Sequence, residues 1–290
     1  MSGPVAAITP DGTRLHLQHG PMDLIIEATG DKEAVAAAYR RAWDRFQPLL
    51  DELVEELPLL RRPFGGEHQQ LRGTVARRMA TAVSRFPGWF VTPMAAVAGA
   101  VADEVCDAMW PEDGTLRRCA VNDGGDIAVR LTPGESFVVG LVPLPQRPAL
   151  LGATTILAED PVRGVATSGR HGRSFSLGIA DAVTVLAADA AIADAAATLL
   201  SNAVDLPGHP AIQRTPAVEL DPDSDLGDRL VTVGVGRLAD AEIEAALAAG
   251  LAEAARMRTA GTIEAAVLCL EGHIVTAGPL RPRAALGDAS

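Results

Sequence analysis

Lysine is all but missing from this chain. Lys32 is the single one, so arginine carries nearly all of the 25 basic charges. A buried Schiff-base or catalytic lysine is thereby excluded, because Lys32 stands in the polar start of a helix pattern. The excess of Arg and Ala matches a GC-rich genome. Aromatic residues make up only 3% of the sequence, too few for base stacking along a single strand. The three cysteines, Cys106, Cys119 and Cys269, are scattered and form no C-x-x-C pair. That excludes a disulfide framework and a paired-cysteine zinc site, and it predicts reduced, mostly buried thiols in a cytosolic protein. The opening MSGPVAAITPDG has no charged region followed by an apolar core, so no signal peptide is expected and the location reads as cytoplasmic. The longest apolar stretch, 180–204, is interrupted by Asp181, Asp189 and Asp194, and so is not a membrane span. No G-x-S-x-G elbow is present.

What is there is an apolar, acidic chain. Of 290 residues 48% are hydrophobic, enough for a packed interior, and 37 acidic side chains leave a net charge of −12. That balance argues against nucleic acid and against an anionic membrane surface, since both require a basic face. A small ligand remains as the expected partner, and the composition is compatible with a homo-oligomer.

Periodicity predicts an α+β protein with a mixed sheet flanked by helices. Arg14–His19 alternates and, after Gly20-Pro21, Met22–Ala28 completes a hairpin. Asp31 introduces a helix from Lys32 to about Leu57, expected to bend or break at Pro48. Further helices are expected at Leu71–Phe86 and Pro93–Met109. Strands are expected at Leu116–Val121, Asp126–Leu131, Ser136–Val142, Thr154–Ala158, Gly164–Thr167 and Ala182–Ala187, the last leading into a helix at Ala190–Val204. Residues 1–204 read as one body and the Pro- and Asp-rich 205–227 as a linker. Residues 228–290 read as a short βαβ-like extension built on Leu230–Val235, Asp240–Arg258 and Ala265–Leu270.

Four places carry chemistry-bearing patterns. In Val121-Asn122-Asp123-Gly124-Gly125-Asp126, two glycines permit positive φ and a close backbone approach to a ligand, although Asp-Gly and Gly-Gly also make ordinary hairpin turns. In Thr167-Ser168-Gly169-Arg170-His171-Gly172-Arg173, hydroxyls, amides and guanidiniums suit an anion, and His171 offers an acid or base. Asp194 and Thr198 lie four apart on one helix face, an oxygen pair suited to Mg²⁺. The ordinary alternative has Thr198 bonding back to the Asp194 carbonyl while the carboxylate meets solvent. Gly234-Val235-Gly236-Arg237-Leu238-Ala239 stands between a strand and a helix as a dinucleotide loop would, but lacks the second half of such a sheet. His16 and His19 fall on opposite faces of a strand. Arg72, Arg77, Arg78 and Arg85 make one helix basic, either as a solvated face or as neutralisers of a phosphate.

Four segments in order, FVTPMAAVAGAVADEV, AVNDGGDIAVRL, GVATSGRHGRSFSLGIADAVTVL and AADAAIADAAATLLSNAV, resemble an ApbE-like family of bacteria and archaea related to the FAD:protein FMN transferases. The resemblance runs from about Arg72 to Val204 and is weaker elsewhere. It implies an ApbE-like fold, Mg²⁺ and FAD or FMN as cofactors, and a flavoprotein threonine as acceptor. In the resembled enzymes the metal is held by an alanine carbonyl, an Asp and a Thr, here Ala95, Asp194 and Thr198. The flavin nucleotide would lie near Thr92, Met94, Asp123, Gly124, Gly125, Thr167, Ser168, Gly169 and Ala197. Two departures stand out: Ala98 replaces the family's lysine, and its His-x-x-Asp-Pro-x-Thr-Gly loop is deleted after Gly178. The leading expectation is a protein that binds a flavin nucleotide or similar phosphorylated ligand with Mg²⁺, with FMN or phosphoryl transfer as its chemistry. The alternatives are a non-catalytic scaffold that kept the fold, and a nucleotide-dependent enzyme using the Gly234–Gly236 turn.

Overall fold

Three strands open the chain and pair in sequence order, β1 (Val5–Ile8), β2 (Arg14–His19) and β3 (Met22–Gly30). The structure is a computed structural model that describes residues 3–111, 114–141 and 152–283. Alternation places Leu15 and Leu17 of β2 and Met22, Leu24 and Ile26 of β3 on the buried face. β1 carries no buried side chain, which is why the hairpin pattern did not announce it.

Helix α1 (Lys32–Leu60) runs unbroken through Pro48, where a bend or break was expected. The proline removes one backbone bond. The stripe Ala38, Ala42, Phe46, Leu49, Leu50, Leu53 continues across it at helical spacing, and burial of that stripe outweighs the lost bond. Helix α2 (Thr74–Val83) follows, shorter than expected at both ends. A single 3-10 turn, Pro93–Ala96, then leads into α3 (Val97–Met109).

The middle holds β4 (Leu116–Asp123), β5 (Asp126–Leu131), β6 (Ser136–Leu141), β7 (Gly152–Leu157), β8 (Gly164–Ser168) and β9 (Ala182–Ala187), then α4 (Ala190–Ala203). The tail adds β10 (Ile212–Pro216), α5 (Ala217–Leu220), β11 (Leu230–Val235), α6 (Asp240–Thr259), β12 (Ala265–Leu270), β13 (His273–Ala277) and β14 (Pro282–Arg283). Val142, the expected end of a strand, and the Pro-rich loop after it lie outside the described residues, as does the stretch from 284 onward.

The chain divides into two units, and the division falls inside β6, β7, β8, β9 and α4. One unit comprises Met1–Phe137, Ile156–Ala166 and Ala187–Asp194. Here the strands lie in the order β1-β2-β3-β4-β5, and the start of β8 pairs with β5 through Ile127↔Val165 and Ala128↔Gly164. α1 packs on β2 and β3, and α3 on β4 and β5. Leu17, Leu24, Ile26, Phe46, Leu49, Val105, Val121 and Val129 form its core. The other unit comprises Val138–Thr155, Thr167–Leu186 and Ala195–Ser290. In it β12 pairs with β9 and β13, and α6 packs on β12 and β13.

The α+β class holds, and every ladder with a defined register among the described residues is antiparallel. The mixture is therefore of helices with sheet, not of strand directions. The tail has the expected strand–helix–strand order, but β11 pairs with β10 while β12 pairs elsewhere, so it is not a parallel βαβ unit. Residues 205–227, expected as a linker, contain β10 and α5, and Arg214 ties them down by pairing with Asp205 and donating to the Leu177 carbonyl. No helix among the described residues is long and apolar enough to cross a membrane.

Candidate functional site

The site is built where the first turns of α3 and α4 meet. A Cβ on Gly99 would stand 2.2 Å from the Ala190 carbonyl oxygen, so only glycine admits this approach. Each helix then supplies a carboxylate to the other. The Gly99 N–H donates to Asp194 Oδ2 at 3.1 Å, and the Ala98 amide adds a second bond to the same carboxylate. In return, the Ala190 and Ala191 N–H groups donate to Asp103 Oδ1 and Oδ2 at 3.2 and 2.9 Å. Asp189, local to α4, takes the Ile192 N–H at 2.7 Å. The exposed N–H groups of two helix starts are satisfied in this way.

The β4–β5 hairpin brings another carboxylate within electrostatic reach, since the charge of Asp123 acts on Asp194. Gly124 and Gly125 have φ of +64° and +117°, the left-handed values a two-residue hairpin turn requires, and the Asn122 side chain accepts the Gly125 N–H at 2.8 Å. The turn is closed by Asp123 facing Asp126, both buried. Asp123 also accepts the Asp23 N–H at 3.3 Å.

These carboxylates perturb one another. Burial pushes Asp194 up to about 7, and the nearby Asp123 charge adds to it, against the two backbone bonds that favour the ion. Burial likewise raises Asp103 to about 7, helped by the charge of Asp189 and opposed by the Ala191 and Ala190 amides. Asp194 forms no ion pair with a basic side chain among the described residues. Its Oδ2 faces the Gly99 amide, where the alternative had the carboxylate meeting solvent.

The remaining predicted residues are placed as follows. Thr92 is buried as the residue before the 3-10 turn and accepts the Ala95 N–H on its carbonyl at 3.1 Å; Met94 and Ala95 are half-buried. Thr198 follows Asp194 by one turn in α4 and is half-buried, with Ala197 buried beside it; both belong to the second unit. The Thr167 hydroxyl bonds the Thr184 hydroxyl at 2.9 Å, and Ser168 ends β8. A Cβ on Gly169 would meet the Asp181 carbonyl at 2.3 Å, so this glycine serves a close backbone contact.

The charged groups of the second motif are already engaged. Buried Asp181 accepts Arg170 Nε at 2.9 Å, His171 Nε2 at 3.2 Å and the Glu271 N–H at 2.6 Å, and Arg170 also reaches Glu271 at 3.1 Å. Arg78, taken above as a potential phosphate neutraliser, is committed to Asp107 at 2.9 Å and Glu104 at 3.4 Å. The Gly234–Gly236 turn leaves an antiparallel ribbon, and α6 begins with Asp240 and with Glu242 accepting the Ala239 N–H at 2.7 Å. An acidic cap thus stands where a pyrophosphate would have to sit, which weighs against the nucleotide alternative.

No group of three or more His, Cys, Asp or Glu able to hold a metal occurs among the described residues. A cation would rely on Asp194 together with main-chain and hydroxyl oxygens. A desolvated carboxylate without a basic partner is an oxygen donor that suits a hard divalent ion. Sequence reasoning missed Asp103. Its signal was a carboxylate on the buried face of α3, four residues after Gly99, where the helix's other two, Glu104 and Asp107, are not buried.

The family model described as AbpE bacteria matches residues 6–276. A UPF0280 protein of Methanopyrus kandleri is 43% identical over 129 residues, which are 44% of this chain and 48% of that protein. One of Archaeoglobus fulgidus is 34% identical over 143 residues, 49% of this chain and 56% of the relative. The chain spans about half the length of the curated relatives it matches. The apo flavinyl transferase ApbE of Pseudomonas stutzeri has 12% identity and a TM-score of 0.42 over 96% of this chain and 93% of that one.

Proposed function

This chain belongs to the AbpE bacteria family, and on that premise we propose that it binds a flavin nucleotide, FAD or FMN, or a similar phosphorylated ligand, together with Mg²⁺. The observation that carries the reading is Asp194, a desolvated carboxylate with no basic partner among the described residues, within electrostatic reach of Asp123 at the head of the Gly124-Gly125 turn. Asp194 and the Ala95 carbonyl are the cation ligands in this reading, with the Thr198 hydroxyl as a third. The bare turn lets a ligand approach the backbone. Mg²⁺ supplies charge neutralisation on a pyrophosphate and polarises its phosphorus for transfer. Asp194 would supply the ligating carboxylate, its position fixed by the Gly99 amide before a cation arrives. Thr167, Ser168, Gly169 and Ala197 would contribute further contacts, and the acceptor for transfer would be a flavoprotein hydroxyl. The protein would work in the cytoplasm.

The test is titration calorimetry of FAD with and without Mg²⁺ on the wild-type chain and on Asp194→Asn. Mg²⁺-dependent binding that the variant loses supports the reading. Equal binding in both sinks it. Ala98, in the place of the lysine of the resembled FMN transferases, favours a second reading in which the ligand is bound but no group is transferred. Release of AMP from FAD with Mg²⁺ separates the two.

A further inference from the structure

We infer that Asp103 is a positioning residue for the cation site: by holding the Ala190 and Ala191 amides it fixes the turn of α4 from which Asp194 reaches Gly99. This rests on the proposed cation-binding role of Asp194. Asp103 is fully buried, and each of its oxygens takes one amide of the first turn of α4. The local cap Asp189 does not serve those amides, since its carboxylate is used by Ile192. The link to Asp194 is mechanical. Asp103 stands one turn beyond Gly99 on α3, and the Gly99 amide is what Asp194 accepts.

Two carboxylates therefore close a loop through two helix starts, from α3 to α4 at Asp103 and from α4 back to α3 at Asp194. Gly99 against the Ala190 carbonyl leaves no slack in it. If Asp103 lets go, the first turn of α4 is released and Asp194 loses its registry with Gly99. Partners that orient a ligating carboxylate without touching the metal set affinity about as strongly as a weak ligand does.

The experiment compares wild type, Asp103→Asn and Asp189→Asn in the full chain. Mn²⁺ serves as the paramagnetic stand-in for Mg²⁺, and its affinity is read by electron paramagnetic resonance. Hydrogen exchange at the Gly99 amide reports whether Asp194 is in place, and thermal denaturation reports stability. Asp189→Asn is the control, because it weakens the same helix end without bridging to α3. The expected result is about tenfold weaker Mn²⁺ binding and about tenfold faster Gly99 exchange in Asp103→Asn, with Asp189→Asn near wild type on both. Equal losses in the two variants mean generic loosening of α4 and overturn the inference. So does wild-type Mn²⁺ affinity in a folded Asp103→Asn. If wild type binds no Mn²⁺, the cation reading itself has failed, and Gly99 exchange alone decides whether Asp103 positions Asp194. If Asp103→Asn does not fold, Asp103→Glu, with the charge one methylene further out, is read in the same way.

Discussion

Cys106 of α3 and Cys119 of β4 stand with their Sγ atoms 3.4 Å apart, both buried and neither in a disulfide. That separation is a contact between thiols, far from the length of an S–S bond. The hydrogen bond between the two thiols and burial both push Cys106 well above its usual range, and burial also raises Cys269. A buried thiol that holds its proton packs as a small hydrophobe and is a poor nucleophile.

All three thiols are therefore expected to resist a disulfide-exchange reagent in the native protein and to react together once the chain is unfolded. Ellman titration with and without urea checks this. Prompt reaction of Cys106 or Cys119 in the native state would contradict their burial.

Asp194 makes stability depend on pH in an unusual direction. Its carboxyl is raised from 3.8 to about 7, so between those values the folded chain holds more protons than the unfolded chain. Stability is then fully present below the unfolded value and is lost as pH rises towards 7. Asp194→Asn removes this loss. Measured in chelator, the Tm of the variant relative to wild type should climb from about pH 4 to about pH 7 and then level off, at about 2–4 °C per kcal/mol. A difference that stays flat across that range contradicts the desolvated carboxylate.

Gly99→Ala places a methyl group against the Ala190 carbonyl, where the backbone has no room. The expected cost is about 3 kcal/mol by urea denaturation, at the upper end for overpacking. Gly66→Ala, with open space around it, should stay within about 0.5 kcal/mol.

Arg78 joins Glu104 to Asp107 in a chain of ion pairs that Arg45 and Arg130 extend at either end. Arg78→Ala should destabilise by about 1 kcal/mol or less, because part-buried Glu104 keeps Arg45 and exposed Asp107 keeps Arg130. FAD affinity should change by less than about twofold, since the guanidinium is committed elsewhere. A large loss of affinity with unchanged stability would restore the arginine as a phosphate contact.

Local rules reached far into this fold. The turn after Val121 was legible because Asn-Asp-Gly-Gly between two apolar strands has few other conformations, and it is a two-residue hairpin turn with both glycines at positive φ. β9 and β12 run at their expected bounds because each is a six-residue apolar run, buried throughout. β10 was not legible, since its Ile-Gln-Arg-Thr-Pro has neither alternation nor a β-branched run. Pro48 does not break the helix because the rule it obeys is local, while the stripe that carries α1 across it extends over half of the helix. Asp194 was singled out by its spacing to Thr198, but its use as a cap on α3 depends on Gly99, 95 positions earlier. Asp103 is marked in the sequence only as a carboxylate on an apolar face; its partners are not, since no window on the sequence contains both ends of its bonds.

The single lysine gives the molecule an experimental handle. Lys32 is the first residue of α1 and is exposed, at the head of a 29-residue helix whose other face is anchored in the core. An amine-directed dye or spin label would attach there without any background substitution at other side chains. Its distance to a paramagnetic ion could then locate a bound cation within the fold.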